Sequence, residues 1–162
     1  MFSIYKTHSN KLYNKLVELS RNIFFYKESQ LKDNFETRIN LIFIHMSLIL
    51  IIFKERKKDF PQDIFDNIFL NIEYHIRELG YGDVMVNKKM KELLRIFYDI
   101  LVKVKTSQSI NKSIIKNYLE PQSKKPKLLS DNLVNYFQFF YDICFELDNN
   151  SMLKGQINFK YQ

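Results

Sequence analysis

Only three glycines occur in 162 residues, and two of them stand one residue apart in Arg77-Glu78-Leu79-Gly80-Tyr81-Gly82-Asp83. A chain this poor in glycine keeps one where the backbone needs a positive φ or a close approach. Strong apolar periodicity runs up to Gly80 and resumes at Val86. Gly80 therefore takes the position just past a helix C-terminus, and Asp83 can cap the helix that follows. This spacing predicts a tight hinge between two long helices. It does not suit a phosphate loop, because no strand precedes it and no third glycine or Gly-Lys-Ser/Thr completes the fingerprint.

The rest of the chain reads as helices. Leu12, Leu16, Leu19 and Ile23 lie at spacings of four, three and four, which predicts a first helix over about residues 8–26. Asp33-Asn34-Phe35-Glu36 matches a capping box with Asp33 as acceptor and opens an apolar helix ending near Lys54. Pro61 suits the first turn of a third helix, whose apolar face carries Ile64, Phe65, Ile68, Phe69, Ile72, Ile76 and Leu79. Val86, Met90, Leu93, Phe97, Leu101 and Val104 mark a fourth, and Ile110, Ile114, Ile115 and Tyr118 a short fifth ended by Pro121. Ser130 or Asp131 is expected to cap the last helix, and residues 149–162 form a tail too short for a domain. The expected fold is all-α, a single-domain bundle of about six helices spanning 1–162 with a short C-terminal tail.

The stretch from Ile39 to Phe53 is the one membrane suspect. It is interrupted by Asn40, His45 and Ser47 and falls short of the roughly 20 apolar residues of a span, so a buried central helix is expected. The opening residues lack a signal-peptide apolar core and an Arg-rich transit segment, which predicts a chain without a targeting leader. The lone Cys144 excludes an intramolecular disulfide.

Nothing in the sequence assembles a catalytic set. His8, His45 and His75 are scattered, with no helical His-x-x-x-His or Glu-x-x-His pair for a metal. His45 sits among apolar residues and is expected to be a hydrogen-bonded core histidine. His75, about 20° from Ile64 on a helical wheel, is expected to be packed as well. Asp63 and Asp66 stand near a helix start, where they complement the macrodipole. The expectation is a protein that is not an enzyme and needs no cofactor and no metal.

Charge and aromatic content point toward partners. The net charge of +7 invites an anionic partner, although lysine outnumbers arginine fourfold and alanine is missing, a profile in keeping with an AT-biased genome. Fifteen Phe and ten Tyr exceed what single helix stripes bury, notably at Phe24-Phe25-Tyr26, Phe97-Tyr98 and Phe137 to Tyr141. Such a surplus suits a bundle with an apolar groove for another helix.

Four blocks together resemble the ubiquinol–cytochrome c chaperone family. They are Leu12-Tyr13 through Ser20-Arg21 to Phe25-Tyr26; Asp33-Asn34-Phe35-Glu36-Thr37-Arg38 with Leu41 and His45; Gln62-Asp63-Ile64-Phe65 into the glycine hinge and Val86-Asn87-Lys88; and Leu153-Lys154-Gly155-Gln156-Ile157-Asn158-Phe159. Asn34 stands where the family has Thr, and Asp99 where bacterial members often have Gly. The resemblance implies a chaperone that binds newly made cytochrome b and supports assembly of the cytochrome bc1 complex. It implies contact with the ribosome, a co-chaperone of unknown identity, and a place on the cytoplasmic face of a bacterial inner membrane, or the matrix side if mitochondrial. Motif residues carried over are Arg77, Glu78, Gly80, Gly82 and Asp83 at the hinge and Asp33, Arg38 and His45 on the second helix. Lys54, Arg56, Lys57, Lys58, Lys88, Lys89 and Lys91 are expected to form a basic rim around a client groove. Two other classes stay open. One is an RNA- or ribosome-binding module reading phosphate with lysines 88, 89, 91, 103 and 105; the other is a peripheral membrane protein using Ile39–Phe53 as an interfacial helix.

Overall fold

The centre of the molecule is one helix, α2 (Phe35–Glu55), in which every residue from Ile39 to Ile49 is buried. A helix apolar on nearly all sides must be covered on all sides. Here α1 (Lys11–Ser20), α4 (Asp83–Lys103) and α6 (Pro126–Phe145) cover it. Helix α3 (Gln62–Glu78) packs on α4, α5 (Lys112–Tyr118) on α6, and the single turn α7 (Asn149–Leu153) on α1. The computed structural model describes residues 10–107 and 109–161, and among them the fold is all-α, with no strand beyond one isolated bridge between Lys105 and Ile110. Met1 to Lys6 and His8 lie outside the described residues.

Among the described residues α2 alone is long and apolar enough to cross a membrane, and most of it is buried inside the bundle. Two of its polar interruptions, Asn40 and His45, have partners within the fold, whereas the buried Ser47 hydroxyl has none among the described residues. Asn40 Nδ2 donates to the Tyr118 carbonyl at 3.2 Å, tying α2 to α5. His45 is a core histidine, as its apolar neighbours predict. Its Nδ1 lies 2.6 Å from the Leu41 carbonyl and its Nε2 2.8 Å from the Tyr136 hydroxyl. A carbonyl only accepts, so Nδ1 carries the proton and Nε2 accepts from Tyr136. Burial depresses the imidazole pKa to about 4, despite the opposing backbone hydrogen bond.

Several local expectations are corrected. The first helix stops at Ser20, with Arg21 as C-cap, and a separate π-helical turn spans Phe24–Glu28. The Asn22 side chain accepts from the Phe24 amide at 3.0 Å, which turns the chain and leaves Ile23 exposed, off the stripe. Asn34, not Asp33, caps α2 by accepting from Thr37 N at 2.9 Å. Gly82 occupies the N-cap of α4 and Asp83 is its first residue, making no capping bond. Helix α6 starts at Pro126, so Ser130 lies within it, its hydroxyl donating to Pro126 O at 2.8 Å, while Asp131 pairs with Lys112. Leu79, the C-cap of α3, and His75 are largely exposed rather than in the core, although the His75 ring stacks on Phe35.

The aromatic surplus goes largely inward. Tyr136 is fully buried and meets Phe24, Phe25, Phe137, Phe159 and Tyr161 with ring centroids 4.6–5.4 Å apart. The tail belongs to this cluster. Gly155 has φ +67°, and a Cβ there would stand 2.6 Å from the Lys11 carbonyl, so the third glycine lets the tail press against α1.

Candidate functional site

Gly80 has the positive φ that its position predicts, +97°, and its amide donates to Arg77 O at 2.9 Å. Gly82 does not share the requirement: its φ is −76° and nothing stands within 4 Å of where a Cβ would lie. Arg77 reaches over the turn to pair with Asp83, closing the hinge with an ion pair.

Beside this hinge, the first turn of α2 and the last turns of α1 and α3 leave a cavity of about 560 Å³. Its floor is apolar, from Val17, Phe35, Ile39 and Ile42, and its rim carries Arg21, Asp33, Arg38, His75 and Glu78. The Asp33 carboxylate accepts from Arg38 Nε at 2.9 Å and meets its terminal nitrogen at 2.6 Å. His75 stacks on Phe35 with ring centroids 5.2 Å apart and planes 6° from parallel, joining α3 to the start of α2. Burial raises the Tyr13 phenol pKa; Arg21 pulls it down and Glu78 pushes it up, each by a smaller amount. The Tyr26 hydroxyl donates to Ser20 O at 2.6 Å and holds the π-turn against α1.

Three of the four sequence blocks therefore meet at one place. Asp33 and Arg38 from the second block and Glu78 from the third line the same cavity as Tyr13 and Arg21 from the first. His45 lies deeper and serves the core. Phe35 and Tyr13 are among the cavity residues that the sequence pattern does not single out as such. An aromatic at a helix start was the only signal, and it did not name His75 as its partner.

The basic residues do not form one rim. Lys54, Arg56, Lys57 and Lys58 sit at the C-terminal end of α2, whereas Lys88, Lys89 and Lys91 sit near the start of α4, beside the hinge. The contact between Glu55 and Lys105 at 3.5 Å puts the ends of α2 and α4 together, so the two lysine groups lie at opposite ends of the bundle. Arg56 ties α2 to the end of α6 and the start of α7, donating to Phe145 O at 2.6 Å and to Asn149 Oδ1 at 2.7 Å. Lys57, at φ +56°, forms the left-handed close of α2.

Chemically, the cavity offers apolar burial and paired charges. Cys144 is buried, and burial pushes its thiol pKa up to about 12, which leaves it inert as a nucleophile. Among the described residues no three His, Cys, Asp or Glu side chains come together as a metal site.

The fold is thus a helical bundle with a charged-rim pocket beside a specified hinge. A family model described as ubiquinol–cytochrome C chaperone matches residues 27–113, more than half of the chain, and the chain belongs to that family. The crystal structure of the Cbp3 homolog from Brucella abortus shares its fold, with a TM-score of 0.73 over 93% of this chain and 87% of that one, at 23% identity. A comparison with curated proteins gives no match. Family membership makes this an assembly chaperone for the ubiquinol–cytochrome c reductase (bc1) complex, a role that implies binding rather than catalysis.

Proposed function

We propose that the protein holds newly synthesised cytochrome b during bc1 assembly, using the hinge cavity to grip part of the client. The observation that carries this reading is the convergence of the Asp33–Arg38 and Arg77–Asp83 segments, both within the family-matched region, on one apolar-floored cavity. Size refines the expectation of a groove. A transmembrane helix about 30 Å long and 10 Å wide occupies on the order of 2,400 Å³. A cavity of 560 Å³ admits a few side chains of such a helix, not its whole face. The cavity thus acts as an anchor pocket, with affinity drawn from buried apolar area at about 25 cal/mol per Å² before binding costs. A protein working on such a client sits beside the inner membrane, at its cytoplasmic face in a bacterium or its matrix face in a mitochondrion.

The test is site-specific photocrosslinking in translating cells. A photoreactive residue replacing Val17 in the cavity is expected to capture cytochrome b, and one replacing exposed Val102 is not. Deleting the protein should lower bc1 levels. Normal bc1 after deletion would sink the function; reduced bc1 without a cavity adduct would sink only the assignment of the pocket.

A further inference from the structure

The hinge end carries a second feature that the cavity does not use. Tyr81, Val84 and Met85 are 43%, 86% and 45% exposed, and none of them lines the cavity. The first turn of α4 sends only Val86 into the core, so Val84 and Met85 contribute nothing to packing. Outside the cavity, the remaining exposed large apolar residues are scattered away from the tip, with Leu70 on α3, Tyr98 and Val102 towards the far end of α4, and Leu128 on α6. Behind this apolar tip stand lysines at helical spacing. Tyr81, Met85 and Lys89 follow one another every four residues, and Val84, Lys88 and Lys91 lie at intervals of four and three. Lys89 Nζ already rests 4.6 Å above the Tyr81 ring.

We propose that this tip inserts into the interface of an anionic lipid bilayer, with Tyr81, Val84 and Met85 among the upper acyl chains and Lys88, Lys89 and Lys91 on the headgroups. The geometry fits in depth. Four helical residues advance about 6 Å, so the lysines trail the apolar side chains by the 5–10 Å over which interfacial elements penetrate. The charge fits in sign. Asp83 is paired with Arg77 and Glu92 with Arg95, while Lys88, Lys89 and Lys91 have no acidic partner among the described residues. A second copy docking tip to tip would set six lysines against one another. A nucleic acid would use the lysines and leave Val84 and Met85 in water. An anionic bilayer satisfies both halves of the tip. The inference rests on the reading of a protein that works beside a membrane, and it is independent of which client the cavity holds.

The chain has no tryptophan, so Met85→Trp supplies a single reporter. With vesicles of phosphatidylcholine containing one-third phosphatidylglycerol, its emission should shift to the blue and be quenched by brominated acyl chains. Val102→Trp, far along α4, should keep a water-exposed spectrum. In the unlabelled protein, Val84→Asp with Met85→Asp should reduce vesicle co-sedimentation at least tenfold, and each of the three lysines changed to Gln about fivefold. Both kinds of variant alter exposed or half-exposed positions, and an unchanged melting temperature verifies their fold. An unshifted Met85→Trp spectrum on anionic vesicles, or full binding by the double Asp variant, overturns the proposal. So does a wild-type dimer that the double Asp variant dissociates, since a second copy would then cover the tip. A cytochrome b peptide in detergent should still bind the double Asp variant; its loss there would assign the tip to the client and overturn the lipid reading. Failure of that peptide to bind any form, with vesicle binding intact, would instead count against the proposed client.

Discussion

Lys57 closes α2 in a left-handed conformation, with its amide donating to Lys54 O and that of Lys58 donating to Phe53 O, both at 3.0 Å. That is a Schellman close with lysine where glycine fits best, and a non-glycine residue there costs about 1 kcal/mol. Lys57→Gly should raise the unfolding free energy by about that amount in a urea titration. The two hinge glycines should behave differently from each other. Gly80→Ser should lose about 1 kcal/mol from its positive φ, whereas Gly82→Ser, at an N-cap with open space around it, should be neutral or gain a few tenths. Equal losses at both would contradict the geometry described for Gly82. His45 gives a pH dependence. Its folded pKa of about 4 lies below the ordinary 6.5, so the unfolded chain binds the extra proton and stability falls as pH drops from 6.5 to 4. The full loss is on the order of 3 kcal/mol. The depressed carboxylates Asp99, Asp131 and Asp148 lose their contributions as pH falls through the ordinary Asp value near 3.8 and below, which leaves most of that window to the histidine. Nitrogen NMR should find the His45 ring neutral, with the proton on Nδ1, at pH 5; a ring titrating near 6.5 would mean that it is not buried.

At the scale of elements, the C-terminal segment is the part whose importance exceeds its length. Met152 and Ile157 are fully buried, Phe159 and Tyr161 pack on the Tyr136 cluster, and Gly155 abuts the Lys11 carbonyl. Ile157→Ala should cost about 2–4 kcal/mol and Gly155→Ala at least as much as Gly80→Ala, both read from denaturant midpoints at unchanged slope. A cost under 0.5 kcal/mol for Ile157→Ala would mean that the tail is a loose appendage. The helices themselves were legible because Ile68, Ile72 and Ile76, or Leu133, Phe137 and Phe140, repeat at the helical period and are buried as that period requires. Their ends were less so. Asp33 and Asn34 are both good caps, as are Gly82 and Asp83, and composition cannot say which adopts the extended backbone. Asn22 broke the first stripe through a side-chain turn that periodicity does not register. The cavity was illegible for a related reason: it is the space left where three helix ends stop, and no residue pattern encodes where neighbours end. Sequence did bring together Asp33, Arg38 and Glu78 as motif residues, without showing that they face one pocket.

Over the whole molecule, the basic charge is split between two ends. Most of the length of α4 separates Lys54, Lys57 and Lys58 from Lys88, Lys89 and Lys91, about 20 Å along its axis and more than two Debye lengths at physiological salt. The two groups should therefore act additively. Reversing the three at the hinge end should abolish anionic-vesicle binding, and reversing the other three should change it less than twofold; equal effects would mean that net charge alone governs attachment. The buried position of α2 also has a consequence in time. During synthesis α2 is complete some forty residues before Phe97 of α4 and some eighty before Tyr136 of α6, the two covers that follow it in the chain. At roughly 5–20 residues per second, the helix waits about 2–8 s for the first and twice that for the second. Throughout that interval it offers the translocation machinery a segment of spanning length, and Asn40, His45 and Ser47 make membrane entry costly. Asn40→Leu with Ser47→Leu should send a fraction of the newborn chains into an alkali-resistant membrane pool. With the proposed client, a chaperone for membrane helices thus has to keep one of its own from being mistaken for cargo.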